Sequence, residues 1–255
     1  MSGDEAFVMV AATVVSLFAW GDWYVRLWRM FAPRCPGWYR ALLTLGPPVC
    51  LIALAWAVSR YDSAEVKESA FYILLFTAVG AVTLRLTLPL LNLLRLDVPG
   101  QAVAQGNAAA LPAVVGAWLA ATALNIGANI GEGDTIYTAL GPLALAGALL
   151  AGFALAVVAM TGVTTAITSG REPAAGMRFG ALLLAASLPL ARAAAGDWVS
   201  SAANLRAFAA AIPLLFALLL LGWLAEKLLT GRRGGLLAGA LPAGVFLLIA
   251  VAVRP

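Results

Sequence analysis

The chain has 255 residues, of which 63% are hydrophobic and 11% are charged, with a mean hydropathy of +0.95. A soluble domain carries roughly 25% charged residues, so this composition excludes a water-soluble globule and calls for lipid as solvent. The net charge of +4 comes from single basic residues scattered between apolar runs, which excludes a nucleic-acid face and marks them as topology signals.

At the N-terminus, Asp4 and Glu5 stand where a secretory signal places Lys or Arg, and no small-residue cleavage site follows. The first apolar segment is therefore expected to remain in the mature protein. A bilayer core needs roughly 20 apolar residues in a helix. Eight runs qualify: 6–24, 39–59, 70–93, 108–130, 136–166, 175–195, 205–226 and 235–253. Trp20, Trp23, Trp28 and Trp38 flank the first loop and predict an interfacial aromatic belt. Pro47 and Pro48 interrupt the second run, which stays a span because neighbouring helices can satisfy the backbone groups that proline frees.

The third run carries Arg85, roughly 15 Å from the nearest water at 1.5 Å per residue, with Asn92 two turns away on the same face. An arginine at that depth faces the bundle interior, either as an anion site or bonded to a carboxylate or backbone carbonyls. In the fourth run Asn125, Asn129 and Glu132 stand at i, i+4 and i+7, on one helical face. Arg192 on the sixth run is expected at a similar depth and to pair with Glu132 or Asp197. That pair would be a gate for an ion or substrate, a structural interhelical bond, or an arginine snorkelling to water. Thr161, Thr164, Thr165 and Thr168 form a hydroxyl stripe, read as packing with a pore lining as the alternative.

The loops alternate in charge. Arg26, Arg29, Arg34, Arg40, Arg95, Arg171, Arg178, Lys227, Arg232 and Arg233 fall on one side. Arg60, Lys67, Arg192, Arg206 and Arg254 fall on the other, together with most of the acids. The ten-to-five basic split predicts a cytoplasmic first set and both termini outside.

Repetition adds organisation. Gly106-Asn107-Ala108-Ala109-Ala110 precedes Gly116-Ala117, and at an offset of 64 positions Gly170-Arg171-Glu172-Pro173-Ala174 precedes Gly180-Ala181. A weaker copy has Gly231-Arg232-Arg233 before Gly239-Ala240. The unit reads as a helical hairpin repeated in one orientation. Gly116, Gly176 and Gly180 lie in spacings of four that let helix backbones approach closely, with lining of a pathway as the alternative. The predicted organisation is an N-terminal helix pair over 1–68, tandem hairpins over 69–200 and a C-terminal hairpin over 201–255.

The stretch Ala174-Ala175-Gly176-Met177-Arg178-Phe179-Gly180, with Asn107-Ala108-Ala109 opening the earlier copy, resembles the YjfL-like bacterial inner-membrane proteins, domain-of-unknown-function family 350. The resemblance covers roughly residues 70–200. It departs from the family at Arg171-Glu172-Pro173, where an Asn-centred loop is usual, and in having more than four spans. It implies tandem hairpins, an inner-membrane location and an activity not known for the family. It also implies a context shared with envelope-stress proteins and peptide-ligating ATP-grasp enzymes.

The chemistry is bounded by what the chain lacks. It has no histidine, so the commonest general base and transition-metal ligand is missing. Cys35 and Cys50 read as unpaired thiols. No nucleotide loop or nucleophile–base pair is present, and Gly131-Glu132-Gly133-Asp134 is too short for a calcium loop. The expectation is an all-α polytopic bundle of about eight spans, built from repeated hairpins, with no catalytic residue, cofactor or metal. Its partners would be the lipid bilayer and either further copies or other membrane subunits, not nucleic acid. The leading reading is a scaffold or partner subunit in the cell envelope. The other is a small transporter or channel using Arg85, Asn92, Asn125, Asn129, Glu132 and Arg192.

Overall fold

The computed structural model describes residues 2–30, 36–133, 135–229 and 237–252. Arg34, Cys35, Asp134, the Gly231-Arg232-Arg233 stretch and Arg254 lie outside the described residues. The elements run α1 (Gly3–Met30), α2 (Gly37–Tyr61), a short α3 (Ala64–Glu68), α4 (Ala70–Leu93), a π-helical turn (Pro99–Ala104) and α5 (Ala110–Ala128). They continue with α6 (Tyr137–Thr161), a short α7 (Val163–Thr168), α8 (Pro173–Ala194), α9 (Ser201–Leu229) and α10 (Leu237–Ala252). The protein is an all-α polytopic membrane bundle.

Among the described residues, seven helices are long and apolar enough to cross a membrane, and the eighth predicted run is the shorter, 16-residue α10. Two boundaries depart from the sequence expectation. The predicted span 136–166 is divided, because Gly162 takes a left-handed conformation (φ +65°) that ends α6 and starts α7. The predicted span 108–130 ends as α5 at Ala128, with Asn129 as its cap. By contrast α2 runs unbroken through Pro47 and Pro48.

The most buried pair of helices is α5 and α8. They run parallel, because Ala109 meets Gly176 at their starts and Gly127 meets Ala191 near their ends. A Cβ at Gly116 would overlap the backbone of Gly180, and one at Gly180 would overlap Pro112. The glycines 64 positions apart in sequence therefore meet at the helix crossing. Without side chains between them the two backbones make extensive van der Waals contact, the main source of helix association in lipid. On the other side of α8 lies α10, also parallel: Arg178 donates to the Ala238 carbonyl and Arg192 to the Ala250 carbonyl. Helices α1, α2 and α4 pack together beside α5, while α6 and α9 cover α8.

The aromatic belt is corrected in part. Trp28 and Trp38 are exposed, but Trp20 and Trp23 are buried. Trp20 donates to the Ala81 carbonyl at 2.9 Å, and Trp23 packs edge-on against Trp118. These two rings are on the face of α1 turned to α4 and α5, so they belong to the core.

Arg178 also departs from its reading as a loop charge. It is 2% exposed and forms a two-pronged ion pair with Glu226, Nε to Oε1 at 2.7 Å and Nη2 to Oε2 at 2.9 Å. With its bond to Ala238 it ties α8, α9 and α10 together.

Candidate functional site

Arg85 is held rather than free. Its Nε donates to the Ala19 carbonyl at 3.0 Å, and Nη2 lies 3.8 Å from Asp22, which also binds Arg26. Of the two expected roles this geometry is the interhelical one, joining α4 to α1. Asn92 is exposed and makes no side-chain hydrogen bond among the described residues, so it builds no site with Arg85.

The expected pair of Arg192 with Glu132 or Asp197 is not formed. Arg192 donates to the Ala250 and Val251 carbonyls, and Asp197 Oδ1 accepts the Glu132 N–H at 2.9 Å. The physical reason is backbone pairing between two loops: Gly196 N–H donates to Ile130 and Trp198 N–H to Glu132. Those bonds set Asp197 beside Glu132, while α10 supplies Arg192 with carbonyls its own chain end leaves open.

What the two loops do enclose is a polar cavity of about 480 Å³ at one end of the bundle. Its wall comes from the starts of α1, α4, α6 and α9, the ends of α5 and α8, and the segment around α3. Five carboxylates line it, Glu5, Asp62, Glu65, Glu132 and Asp197, with the aromatic rings of Tyr72, Phe76 and Trp198. No lysine or arginine is among the described lining residues.

Two of the lining groups have unmet hydrogen-bonding capacity. Asp62 is 4% exposed; one oxygen accepts the Ser63 N–H at 2.7 Å, and Oδ2 has no partner. Burial pushes its carboxyl up from 3.8 to about 6, against the opposing pull of the Ser63 N–H and Lys67. Asn129 is 6% exposed, and its Nδ2 has no acceptor. Buried polar atoms are nearly always paired in folded proteins, and both of these orphans belong to residues of one cavity wall. No family model, curated protein or solved structure matches this chain.

Of the residues singled out by sequence, the cavity brings together Asn129, Glu132 and Asp197. Glu132 sits past the end of α5, so loop pairing and not a helical face carries it to the cavity. Asn125 is one turn deeper, donating to Thr83 at 2.6 Å and to the Ala121 carbonyl, with its Oδ1 unpartnered. In the threonine stripe, Thr161 donates to Val157 and Thr168 to Thr164, the self-bonding expected of packing residues. Gly106 and Gly170 lie in the loops that begin α5 and α8, and Asn107 Nδ2 donates to the Ile167 carbonyl, fastening the first of these loops to α7.

Sequence reasoning missed Asp22, Asp62 and Glu226 as site or pairing residues. Asp22 did carry a signal, an acid four residues before Arg26 within an apolar run. Asp62 and Glu226 stand beside loop charges and carried none.

Proposed function

We propose that this integral membrane protein is a non-catalytic component of the bacterial inner membrane that binds an organic cation in its acidic end cavity, in the manner of a small carrier or solute receptor. The observation that carries the reading is Asp62: a nearly fully buried carboxylate with an unpartnered oxygen, in a cavity whose described lining holds four more carboxylates and no basic residue. A burial that leaves a carboxylate oxygen unpaired costs stability, and a cation at that place offsets the cost.

An organic ammonium fits better than a metal ion. Among the described residues no three carboxylate or thiol side chains converge closely enough to hold a metal. Dispersed acids with aromatic rings between them suit a larger cation, which gains from the ring faces as well as from charge. The bonds that hold Arg85 support a binding role over conduction past that arginine. The ten-to-five split of basic residues supports placing the cavity on the outer face, and the YjfL-like motif stretches support the inner membrane and a duplicated hairpin.

The test uses the purified protein in nanodiscs of zwitterionic lipid. Tetramethylammonium is expected to raise the unfolding temperature saturably, beyond sodium at equal ionic strength, because a ligand that binds only the folded state stabilises it. Asp62→Asn is expected to fold and to lose the tetramethylammonium response. An equal response to both cations, or an undiminished one in Asp62→Asn, sinks the reading.

A further inference from the structure

A second space adjoins the acidic cavity. It is a groove of about 770 Å³ whose lining is almost wholly apolar. It exists because α6 packs chiefly on α5, α8 and α9, leaving α5 as its floor. Its rim residues Phe7, Leu86, Leu93 and Leu155 are exposed, so it opens sideways toward the bilayer core.

The two spaces are stacked along the same four helices. On α1, Glu5 lines the cavity and Val8 the groove; on α4 the pair is Phe76 and Val79. On α5 it is Asn129 and Asn125, and on α6 it is Ala139 and Leu140. One to four residues of helix separate the members of each pair, no more than about 6 Å of rise. An acidic compartment at the membrane surface thus lies about one helical turn from an apolar slot at membrane depth.

We infer that the ligand of this site is a net-cationic amphiphile, a long-chain alkylammonium whose head occupies the acidic cavity and whose chain lies in the groove between α1, α4, α5 and α6. This rests on the cation-binding reading above and specifies its substrate class. Charge complementarity selects the head. A zwitterionic phospholipid would bring its phosphate among Asp62, Glu132 and Asp197, whereas an ammonium without phosphate meets only attraction. The unpartnered oxygen of Asp62 is the acceptor that an ammonium N–H or its polarised methyl groups satisfy. The apolar chain matches the slot and enters from the lipid side without crossing water.

The experiment compares tetramethylammonium with dodecyltrimethylammonium below its micelle-forming concentration, on the full chain in nanodiscs, reading unfolding temperature against concentration. Gly147→Leu is the discriminating variant. Gly147 lines the groove and an added Cβ there meets no atom within 4 Å, so leucine fills the slot without disturbing the packing. Ala148→Leu, at a neighbouring lining position, is the second groove variant.

Because all variants share one bilayer, partitioning of the probe into lipid is common to them. Both groove variants are expected to weaken dodecyltrimethylammonium at least tenfold and to leave tetramethylammonium unchanged. Dodecylphosphocholine is expected not to compete. Undiminished binding of the long-chain probe in both groove variants overturns the amphiphile assignment and leaves the cation reading standing, as does equal competition by dodecylphosphocholine. Failure of both cations to stabilise the wild-type protein overturns the cation reading and this inference with it.

Discussion

Asp62 ends α2 with one carboxylate oxygen on the Ser63 N–H and the other facing no partner. The charged groups around it are Glu65 and Lys67 on α3, Glu5 on α1, and Glu132 and Asp197 on the paired loops. Burial places its carboxyl at about 6, above the 3.8 of an exposed aspartate. A raised value means that the folded state prefers the protonated form. The resulting contribution is present in full below about pH 4 and is lost as pH rises through about 6. An asparagine at this position does not ionise, so Asp62→Asn is expected to be more stable than wild type at pH 7.5 by on the order of 1 kcal/mol. The difference should vanish near pH 4. Unfolding curves at the two pH values check this, and a gap that does not change with pH would show that ionisation is not its cause. A residue that lowers stability while completing a binding surface is the trade expected at functional sites. It was illegible in sequence for a plain reason. Glu5, Asp62 and Glu65 stand far along the chain from Glu132 and Asp197, and each stands where a terminal or loop acid ordinarily stands. Asn129 and Glu132 were legible because they share one short stretch.

The same contrast holds for whole elements. Hydropathy located the spans, because a helix in lipid must satisfy its own backbone and present apolar residues around it. It did not reveal which helices touch. The spacing of Gly116 and Gly180 pointed to close approach, and the structure supplies the partners: each glycine faces the other helix's backbone. Small residues permit that contact along the α5–α8 seam, so substitution should be costly there and harmless at glycines that face open space. Gly180→Leu is expected to lose at least about 1–3 kcal/mol through overpacking. Gly152→Leu, on exposed α6 surface with no atom within 4 Å of an added Cβ, should be near neutral. Unfolding in matched nanodiscs checks the pair, and equal losses would mean that the crossing is looser than its geometry. The Arg178–Glu226 pair shows the limit of pattern reading at this scale. Forty-eight residues separate its partners, and an arginine near a helix end reads first as a topology charge. Only the packing of α9 and α10 against α8 buries it, and once buried it requires a carboxylate.

For the whole molecule, the two ends of the bundle differ in kind. One gathers the carboxylates of the cavity, and the other holds Arg26, Arg29, Arg40, Arg95 and Arg171 at helix ends and turns. On the proposed orientation the arginine-rich end is cytoplasmic, since basic loops are retained on that side far more strongly than acidic loops are exported. The same proposal bears on where a ligand would come from, because a cavity on the outer face would admit cations from outside the cell or from the outer leaflet. Ser200, in the loop before α9, and Ser169, in the turn after α7, are both exposed and lie at opposite ends. In a background with Cys35→Ser and Cys50→Ala, a membrane-impermeant maleimide is expected to label Ser200→Cys in intact cells. Ser169→Cys should react only after lysis. The reverse pattern would turn the acidic cavity to the cytoplasm and reassign its ligand to the cell interior. With the expected pattern, the membrane potential, negative inside, draws a cation toward the cavity from the outer side. The held Arg85, tied to α1 deeper in the bundle, then places a fixed positive charge between that cavity and the arginine-rich end. That arrangement favours capture and retention at the surface over passage through the core.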